Sequence, residues 1–145
     1  MHGKAVKYLE EKGIKPSVQR IAIMEYLLSH RTHPTVDMIF NDLSPSYPTL
    51  SKTTVYNTLK LFVENGVALR LDVDDKEAHY DGDTTTQAHF YCLGCGKILD
   101  IYSNVVTTDN IPELQGLDIL ETRVYFKGYC NQCKDAELRT AVVSD

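Results

Sequence analysis

The sequence predicts an α+β fold in which a helical first half precedes a smaller, strand-rich domain. Three observations lead to this prediction. Apolar residues recur with helical spacing in the first half, they alternate with period two after it, and all four cysteines lie late in the chain in two CxxC pairs. A length of 145 residues allows one ordinary domain or two small ones. We expect domains at 1–82 and 88–145, joined by a short polar hinge at 83–87.

Three helices in the first half have clear start signals, and a short helix at about 4–12 precedes them. Ser17, Thr35 and Ser51 are good N-cap residues, because their side-chain oxygens can accept from the first backbone N–H groups of a helix. The helix after Ser17 is apolar nearly all round and should be the central buried one. The helix after Thr35 has a one-sided apolar stripe, and the helix after Ser51 runs to Gly66.

A hairpin follows these helices. Residues 67–73 alternate between apolar and polar, 74–76 form a turn, and 77–81 read as the return strand. Helix, helix, turn, helix and hairpin is the plan of a winged helix. The helix at 51–65 would then be the recognition helix and 67–81 the wing of a DNA-binding domain.

The outward face of the predicted recognition helix carries side chains suited to phosphate and base-edge contacts. These are Ser51, Lys52, Thr53, Tyr56, Asn57 and Lys60. Lys15 and Arg20 could flank the DNA backbone. An isolated helix with this face would more simply be solvated, but the helix-turn-helix and wing favour double-stranded DNA as the partner. The operator would be palindromic if the second domain dimerises.

Charge is distributed unevenly between the two halves. Residues 1–66 contain eight Lys/Arg and six Asp/Glu, for a net charge of +2, whereas residues 67–145 carry −7. A polyanion should therefore meet the first half. No apolar run approaches the ~18 residues that a membrane helix needs. The N-terminal residues contain no apolar signal segment, so we expect a cytoplasmic chain without membrane contact.

The second domain is predicted to contain strands at 88–92, 97–102 and 117–127, with a short and partly helical connection at 104–115. About 58 residues are too few for a secure core of their own, so a staple is expected. The four sulfurs of Cys92, Cys95, Cys130 and Cys133 have the spacing of a closed tetrahedral Zn²⁺ site. Two CxxC disulfides, or one redox-active CxxC, are the alternatives.

A second metal site is suggested by His33, Asp81, His89 and Asp100, which come from both domains. Imidazole with carboxylate suits Fe²⁺, Mn²⁺ or Zn²⁺. By spacing alone, His33 could equally be a capping or surface residue. An open hydrolytic metal site is also conceivable, but no nucleophile motif or phosphate-binding loop accompanies it, so we do not expect an enzyme. A zinc-stapled protein-interaction module would leave the face of the helix at 51–60 unexplained.

Several short motifs occur together along almost the whole chain. They are Gln19-Arg20, His33-Pro34-Thr35, Thr54-Val55-Tyr56-Asn57-Thr58-Leu59, Asn65-Gly66-Val67, His79-Tyr80-Asp81, His89, Cys92-x-x-Cys95-Gly96-Lys97, Asp100 and Cys130-x-x-Cys133. With these the chain resembles the ferric uptake regulator (Fur) family of bacterial metal-sensing repressors. The resemblance implies a homodimeric DNA-binding repressor, with a small α/β dimerisation domain, a structural four-cysteine zinc and a regulatory metal at the domain junction.

Asp81 makes the chain look most like the peroxide-stress (PerR-type) branch of that family, because iron regulators usually carry Glu there. In that branch three histidines and two aspartates hold Fe²⁺ or Mn²⁺, and oxidation of two of the histidines releases DNA. Four positions match, but Gln87 stands where the remaining histidine is expected. Gln87 offers a weaker amide oxygen, and His79 could substitute for it. The alternative is a zinc-responsive or constitutive regulator with a degenerate second metal site.

Overall fold

A computed structural model of the chain describes residues 2–105 and 107–135. It divides into two compact units, one ending at Thr84 and the other beginning at Thr85. This division falls within the predicted hinge at 83–87, while positions 136–145 of the predicted second domain lie outside the described residues. The helices and strands are α1 (His2–Glu11), α2 (Val18–Ser29), α3 (Val36–Leu43), α4 (Lys52–Glu64), β1 (Leu69–Leu71), β2 (His79–Asp81), β3 (Ala88–Cys92), β4 (Ile98–Ile101) and β5 (Tyr125–Gly128).

The three predicted N-caps all begin helices in the N-terminal unit. The side chains of Ser17, Thr35 and Ser51 accept from the N–H of the residue three positions on, at N···O distances of 3.2, 3.2 and 3.1 Å. Each bond satisfies one of the N–H groups that a helix start leaves without an intrahelical partner. The local sequence therefore fixes where α2, α3 and α4 begin.

One hydrophobic core holds the N-terminal unit together, and α2 contributes most to it, as its all-round apolar sequence predicts. Ile23, Met24 and Leu27 of α2 are fully buried. A fourth residue of α2, Tyr26, belongs to the same cluster. The other members come from α1, α3, α4, the hairpin and the segments next to them. These are Ala5, Leu9, Ile14, Ile39, Leu50, Val55, Leu59, Phe62, Val67, Ala68 and Tyr80.

The wing is a two-stranded antiparallel hairpin, with Leu69 opposite Asp81 and Leu71 opposite His79. Its strands are shorter than the 67–73 and 77–81 predicted from alternation. Only residues 69–71 and 79–81 pair in the ladder, and the residues between them form the turn. The Lys76 N–H donates to the Asp74 side chain at 2.9 Å, which closes the turn locally. Asp81 is the last residue of the second strand, and it belongs to the site described below.

The C-terminal unit is a three-stranded sheet in the order β4-β3-β5, with β3 antiparallel to β4 and parallel to β5. The predicted strand at 117–127 was too long at its start. The strand begins only at Tyr125, and Leu120 is 91% exposed. The connection at 104–115 contains two short 3-10 turns, at Thr108–Asn110 and Pro112–Leu114.

Burial is sparse in the described part of the C-terminal unit. Its buried residues are Ala88, His89, Cys92 and Cys130, so two of the four are zinc-ligand candidates. As far as the structure describes it, the C-terminal unit therefore lacks an apolar core comparable to that of the N-terminal unit. The described residues contain no helix that is both long and apolar enough to cross a membrane.

Candidate metal centres and nucleic-acid interface

The two CxxC pairs meet because β3 and β5 are neighbouring parallel strands. Cys92 ends β3 and lies opposite Gly128, the last residue of β5, and Cys130 follows two residues later. The Leu93 N–H donates to the Gly128 carbonyl at 2.7 Å and fixes this end of the sheet. Gly96 has φ 77°, a conformation that L side chains rarely adopt, and its N–H donates to the Cys92 carbonyl at 2.9 Å. The sheet register therefore brings both pairs to one edge.

The sulfur spacing at this edge fits a zinc shell. The Sγ atoms of Cys92, Cys95, Cys130 and Cys133 all lie within 4.8 Å of one another, and those of Cys95 and Cys130 are 3.9 Å apart. Tetrahedral Zn²⁺ with bonds of ~2.3 Å requires S···S separations of ~3.8 Å. A disulfide requires ~2.05 Å. All four cysteines are free thiols. The cluster therefore matches structural zinc rather than two disulfides.

The thiol pKa values show why this cluster needs a cation. The N–H groups of Cys130 and Cys95 donate to Cys92 Sγ at 3.4 Å each and lower the pKa of Cys92 to about 6. The pKa of Cys130 is also lowered, and the largest contribution comes from a hydrogen bond donated by the Gln132 N–H. Hydrogen bonds to the Cys130 and Cys92 sulfurs raise the pKa of Cys133 to about 12. Four sulfurs this close cannot all ionise without a metal to neutralise them.

In the N-terminal unit, His33 and Asp81 form a buried pair. His33 Nε2 lies 3.4 Å from Asp81 Oδ2, and the two side chains are 9% and 3% exposed. His33 has φ 55°, an uncommon conformation for a residue other than glycine. It is held there because His79 Nδ1 donates to the His33 carbonyl at 2.8 Å and the Tyr80 N–H donates to the Pro34 carbonyl at 2.9 Å. The wing strand therefore positions the loop that carries His33.

The environment of Asp81 favours its ionised form. Burial acts to raise the pKa of Asp81, but His33, the Asp83 N–H and Arg31 together outweigh it and lower that pKa. The Asp83 N–H donates to Asp81 Oδ1 at 2.9 Å, and Arg31 Nε lies 3.9 Å from the same oxygen. Gly82 lies between Asp81 and Asp83, and a larger residue there would be crowded, because an added Cβ would lie 3.1 Å from the Leu27 carbonyl oxygen. An ionised carboxylate beside an imidazole is a suitable half of a metal site.

In the C-terminal unit, His89 and Asp100 form a second pair. They are directly opposite each other in the β3–β4 ladder, and His89 Nε2 lies 3.5 Å from Asp100 Oδ1. The Thr86 hydroxyl lies 3.3 Å from the same ring nitrogen. His89 is 4% exposed. The strand register alone brings these two ligand candidates together.

The predicted DNA-contact residues lie on the exposed side of the N-terminal unit. Ser51 and the five candidate residues of α4, from Lys52 to Lys60, are all exposed, while Val55, Thr58, Leu59 and Phe62 are buried. Lys15 is exposed, and Arg20 Nη1 donates to its carbonyl at 2.9 Å. Lys52 Nζ lies 3.2 Å from Asp37, so this cation is partly neutralised. A long exposed polar helix face next to a hairpin can enter a major groove.

The sequence profile of the Ferric uptake regulator family matches residues 11–127, most of the chain. The chain belongs to this family. Proteins of the Fur family are DNA-binding, dimeric transcriptional regulators rather than enzymes.

Individual relatives agree with this assignment. The chain is 34% identical over 134 residues to the peroxide-responsive repressor PerR of Staphylococcus aureus, covering 91% of this chain and 90% of that protein. A solved structure of PerR from Streptococcus pyogenes is 32% identical, covers 91% of this chain and 92% of that chain, and has a TM-score of 0.51. The Vibrio cholerae ferric uptake regulator, at 21% identity and a TM-score of 0.66, is similar in fold over 86% of this chain and 98% of its own.

Gln87 and His79, the two alternatives for the fifth ligand of this Fur-family chain, have different surroundings. Gln87 is exposed, and its backbone N–H donates to the Ile101 carbonyl at 2.7 Å. His79 uses Nδ1 on the His33 carbonyl, and its Nε2 lies 3.2 Å from Asp74 Oδ2. His79 would have to give up one of these contacts to become a ligand, so its visible role is to position His33.

Sequence reasoning missed Arg31, Asp83 and Thr86. Arg31 Nη2 forms a 2.8 Å ion pair with Asp83, which is next to the Asp81 carboxylate. No local pattern marks Arg31, because its partner lies 52 positions away. Asp83 and Thr86 both lie in the predicted polar hinge, and the sequence assigned neither of them a contact with Asp81 or His89.

Proposed function

We propose that this chain is a metal-dependent transcriptional repressor whose regulatory metal is held by His33, Asp81, His89 and Asp100. The observation that carries the proposal is that each unit contains one His–Asp pair, with N···O distances of 3.4 and 3.5 Å. His33, Asp81 and His89 are buried, and the Asp100 side chain is 18% exposed. Buried carboxylates are costly unless they are paired or bind a cation. The similarity to peroxide-responsive repressors supports a shared sensing role.

The donor set suits Fe²⁺ or Mn²⁺, with Zn²⁺ also possible, because imidazole nitrogen and carboxylate oxygen are intermediate and hard ligands. Bound Fe²⁺ would supply the electrons that reduce a peroxide next to the ligand side chains. His33 and His89 would be the imidazole ligands, with His33 the matching target of oxidation, and the Asp81 and Asp100 carboxylates would balance the charge of the metal. The four-cysteine zinc would remain structural, since a closed thiolate shell leaves no open position. A cytoplasmic location, where thiols stay reduced, belongs to the same proposal.

The switch follows from where the two pairs lie in the chain. His33 and Asp81 belong to the N-terminal unit, and His89 and Asp100 to the C-terminal unit. A metal that needs both pairs would favour the domain arrangement in which they meet, which is a shift of population toward that state. In a homodimer, that arrangement would set the spacing of two α4 helices on a palindromic operator.

Gln87 decides between peroxide sensing and simpler metal sensing. It replaces one of the histidines whose oxidation the PerR-type resemblance implies, which leaves His33 as the matching oxidation target. We expect peroxide treatment of the Fe²⁺ protein to add one oxygen to His33, as read by peptide mass spectrometry. The Mn²⁺ protein, treated in the same way, is the control. Unmodified His33 in the Fe²⁺ protein, with DNA binding retained, would favour iron-responsive regulation.

The experiment that tests the function compares metal content with DNA affinity. Protein purified without oxygen should contain one tightly held zinc and one metal removable by mild chelation. Electrophoretic shifts on promoter-region DNA should require the removable metal. Gln87→His should tighten binding of Mn²⁺, and Gln87→Ala is its matched control. One zinc per chain, with DNA affinity unchanged on adding Fe²⁺ or Mn²⁺, would contradict the switch.

That contrary result would point to a zinc-responsive or constitutive regulator with a degenerate second site. The exposure of Gln87 favours this alternative, because an exposed amide is a poor ligand.

DNA binding itself is tested with Lys60→Ala. The plot of log K against log salt has a negative slope, and this slope should become less steep by about 0.9 if Lys60 neutralises one phosphate. Lys7→Ala in α1 removes the same charge from a helix outside the proposed interface and should leave the slope unchanged.

A further inference from the structure

The Arg31 guanidinium is a fixed cation beside one of the proposed metal ligands. Its Nη2 lies 2.8 Å from Asp83 Oδ2 and its Nε lies 3.9 Å from Asp81 Oδ1. Asp81 and Asp83 are 3% and 15% exposed, whereas the Arg31 side chain is 51% exposed. The Asp83 carboxylate and the Asp81 carboxylate, which is a metal-ligand candidate, therefore both lie close to the positive charge of Arg31.

We propose that Arg31 sets the affinity of the regulatory site, by competing electrostatically with the divalent cation for the Asp81 carboxylate. This inference rests on the function proposed above. An arginine remains charged at every physiological pH, so its repulsion of a cation is permanent. It would hold the affinity for Fe²⁺ or Mn²⁺ below what the same ligands would give without Arg31.

The alternative is that Arg31 only orients Asp81 and so strengthens metal binding. The contacts of Asp81 argue against this. Asp81 belongs to the β1–β2 ladder opposite Leu69, and its Oδ1 accepts the Asp83 backbone N–H at 2.9 Å. Neither of these contacts uses the Arg31 side chain. Removal of the guanidinium should therefore remove the repulsion and leave Asp81 in place.

The expected size of the effect follows from Coulomb's law. A +2 and a +1 charge roughly 6 Å apart, in a medium close to water, repel enough to change a dissociation constant about tenfold. A water-like dielectric is appropriate because the Arg31 side chain is half exposed. The same exposure makes the effect sensitive to salt, since the Debye length falls from about 10 Å at 0.1 M to about 3 Å at 1 M.

The test measures the Mn²⁺ dissociation constant of the full-length, zinc-loaded protein by electron paramagnetic resonance. Arg31→Gln should bind Mn²⁺ about tenfold more tightly at low salt, and the gain should shrink in 1 M salt. Arg31→Lys keeps the charge and should stay close to the unmodified protein. Arg70→Gln is the matched control, because it removes an arginine from another surface ion pair of the same unit, with Asp72 at 2.9 Å.

Each outcome separates this inference from the function on which it rests. If the unmodified protein binds Mn²⁺ and Arg31→Gln binds it equally or more weakly, Arg31 does not compete, and only the inference is wrong. A gain that persists in 1 M salt would likewise overturn the electrostatic explanation. If neither the unmodified protein nor Arg31→Gln binds Mn²⁺ when the four-cysteine site is loaded with zinc, the proposed regulatory site itself is wrong. Circular dichroism of each variant checks that the fold is retained.

Discussion

Removal of zinc should unfold the C-terminal unit and leave the N-terminal unit folded. The N-terminal unit has a continuous core of fifteen buried residues, from Ala5 to Tyr80. In the described part of the C-terminal unit, the buried residues are Ala88, His89 and the zinc-ligand candidates Cys92 and Cys130. We therefore expect a bound zinc to take the place of a core in the smaller unit.

The magnitudes favour this outcome. A structural zinc contributes on the order of 10–16 kcal/mol at neutral pH in small metal-nucleated folds. The net stability of a whole domain is only ~5–15 kcal/mol. Loss of the metal would also leave four thiols in mutual contact, with opposing pKa shifts at Cys92 and Cys133. The sheet β4-β3-β5 should then be less stable than its unfolded state.

The assay is amide hydrogen exchange, read by NMR, on reduced protein stripped with a zinc chelator, with the metal content checked by mass spectrometry. Amides of β3 and β5 should lose their protection, while amides within α2 and α4 should keep it. Adding back zinc should restore the sheet and serves as the control. Persistent slow exchange in β3 of verified metal-free protein would refute the reasoning.

Three further predictions concern protonation and packing. The pKa of Tyr26 is raised to about 12, first by burial and then by its hydrogen bond to Asp42. The folded state therefore holds this proton more tightly than the unfolded state, and stability should fall as pH rises from about 10 to 12, by at most about 2–3 kcal/mol. Urea unfolding of Tyr26→Phe should lack that part of the decline, and an unchanged decline would contradict the assignment. Leu59→Ala removes a fully buried side chain and should lower the free energy of unfolding by about 2–5 kcal/mol, whereas the exposed Lys60→Ala should change it little. Zinc binding to the reduced apoprotein at pH 7 should release protons, including that of the Cys133 thiol, because the pKa of Cys133 is raised. Isothermal titration calorimetry in buffers of different ionisation enthalpy measures this release. A binding heat that does not depend on the buffer would contradict the raised pKa of Cys133.

Local chemistry made the helices and the four-cysteine cluster predictable from the sequence. Ser17, Thr35 and Ser51 act through bonds that span three residues, so the start of each helix is encoded next to the helix itself. The CxxC spacing similarly encodes which sulfurs belong together. For features that depend on residues close together in the chain, a single sequence therefore contains most of the information needed to predict the structure.

Strand ends and parallel pairing were harder to predict, because they depend on distant partners. Apolar residues suited to a strand recur through 117–127, but only Tyr125–Gly128 has a partner strand among the described residues. An apolar pattern indicates that a segment can form a strand, and it does not report where the ladder ends. The contact between Arg31 and Asp83 escaped prediction for the same reason, since it joins residues 52 positions apart.

The two His–Asp pairs illustrate this difference within the proposed site. His89 and Asp100 are paired by strand register, so their contact could be deduced from the sequence if the consecutive strands β3 and β4 were assumed to form an antiparallel hairpin. His33 reaches Asp81 only because its backbone has φ 55° and because the wing bonds its loop. Such strain persists only where the surrounding structure enforces it. The N-terminal pair is therefore the more fragile half of the proposed site, and regulatory metal affinity should be more sensitive to loss of the bond from His79 to the His33 carbonyl than to changes in β4.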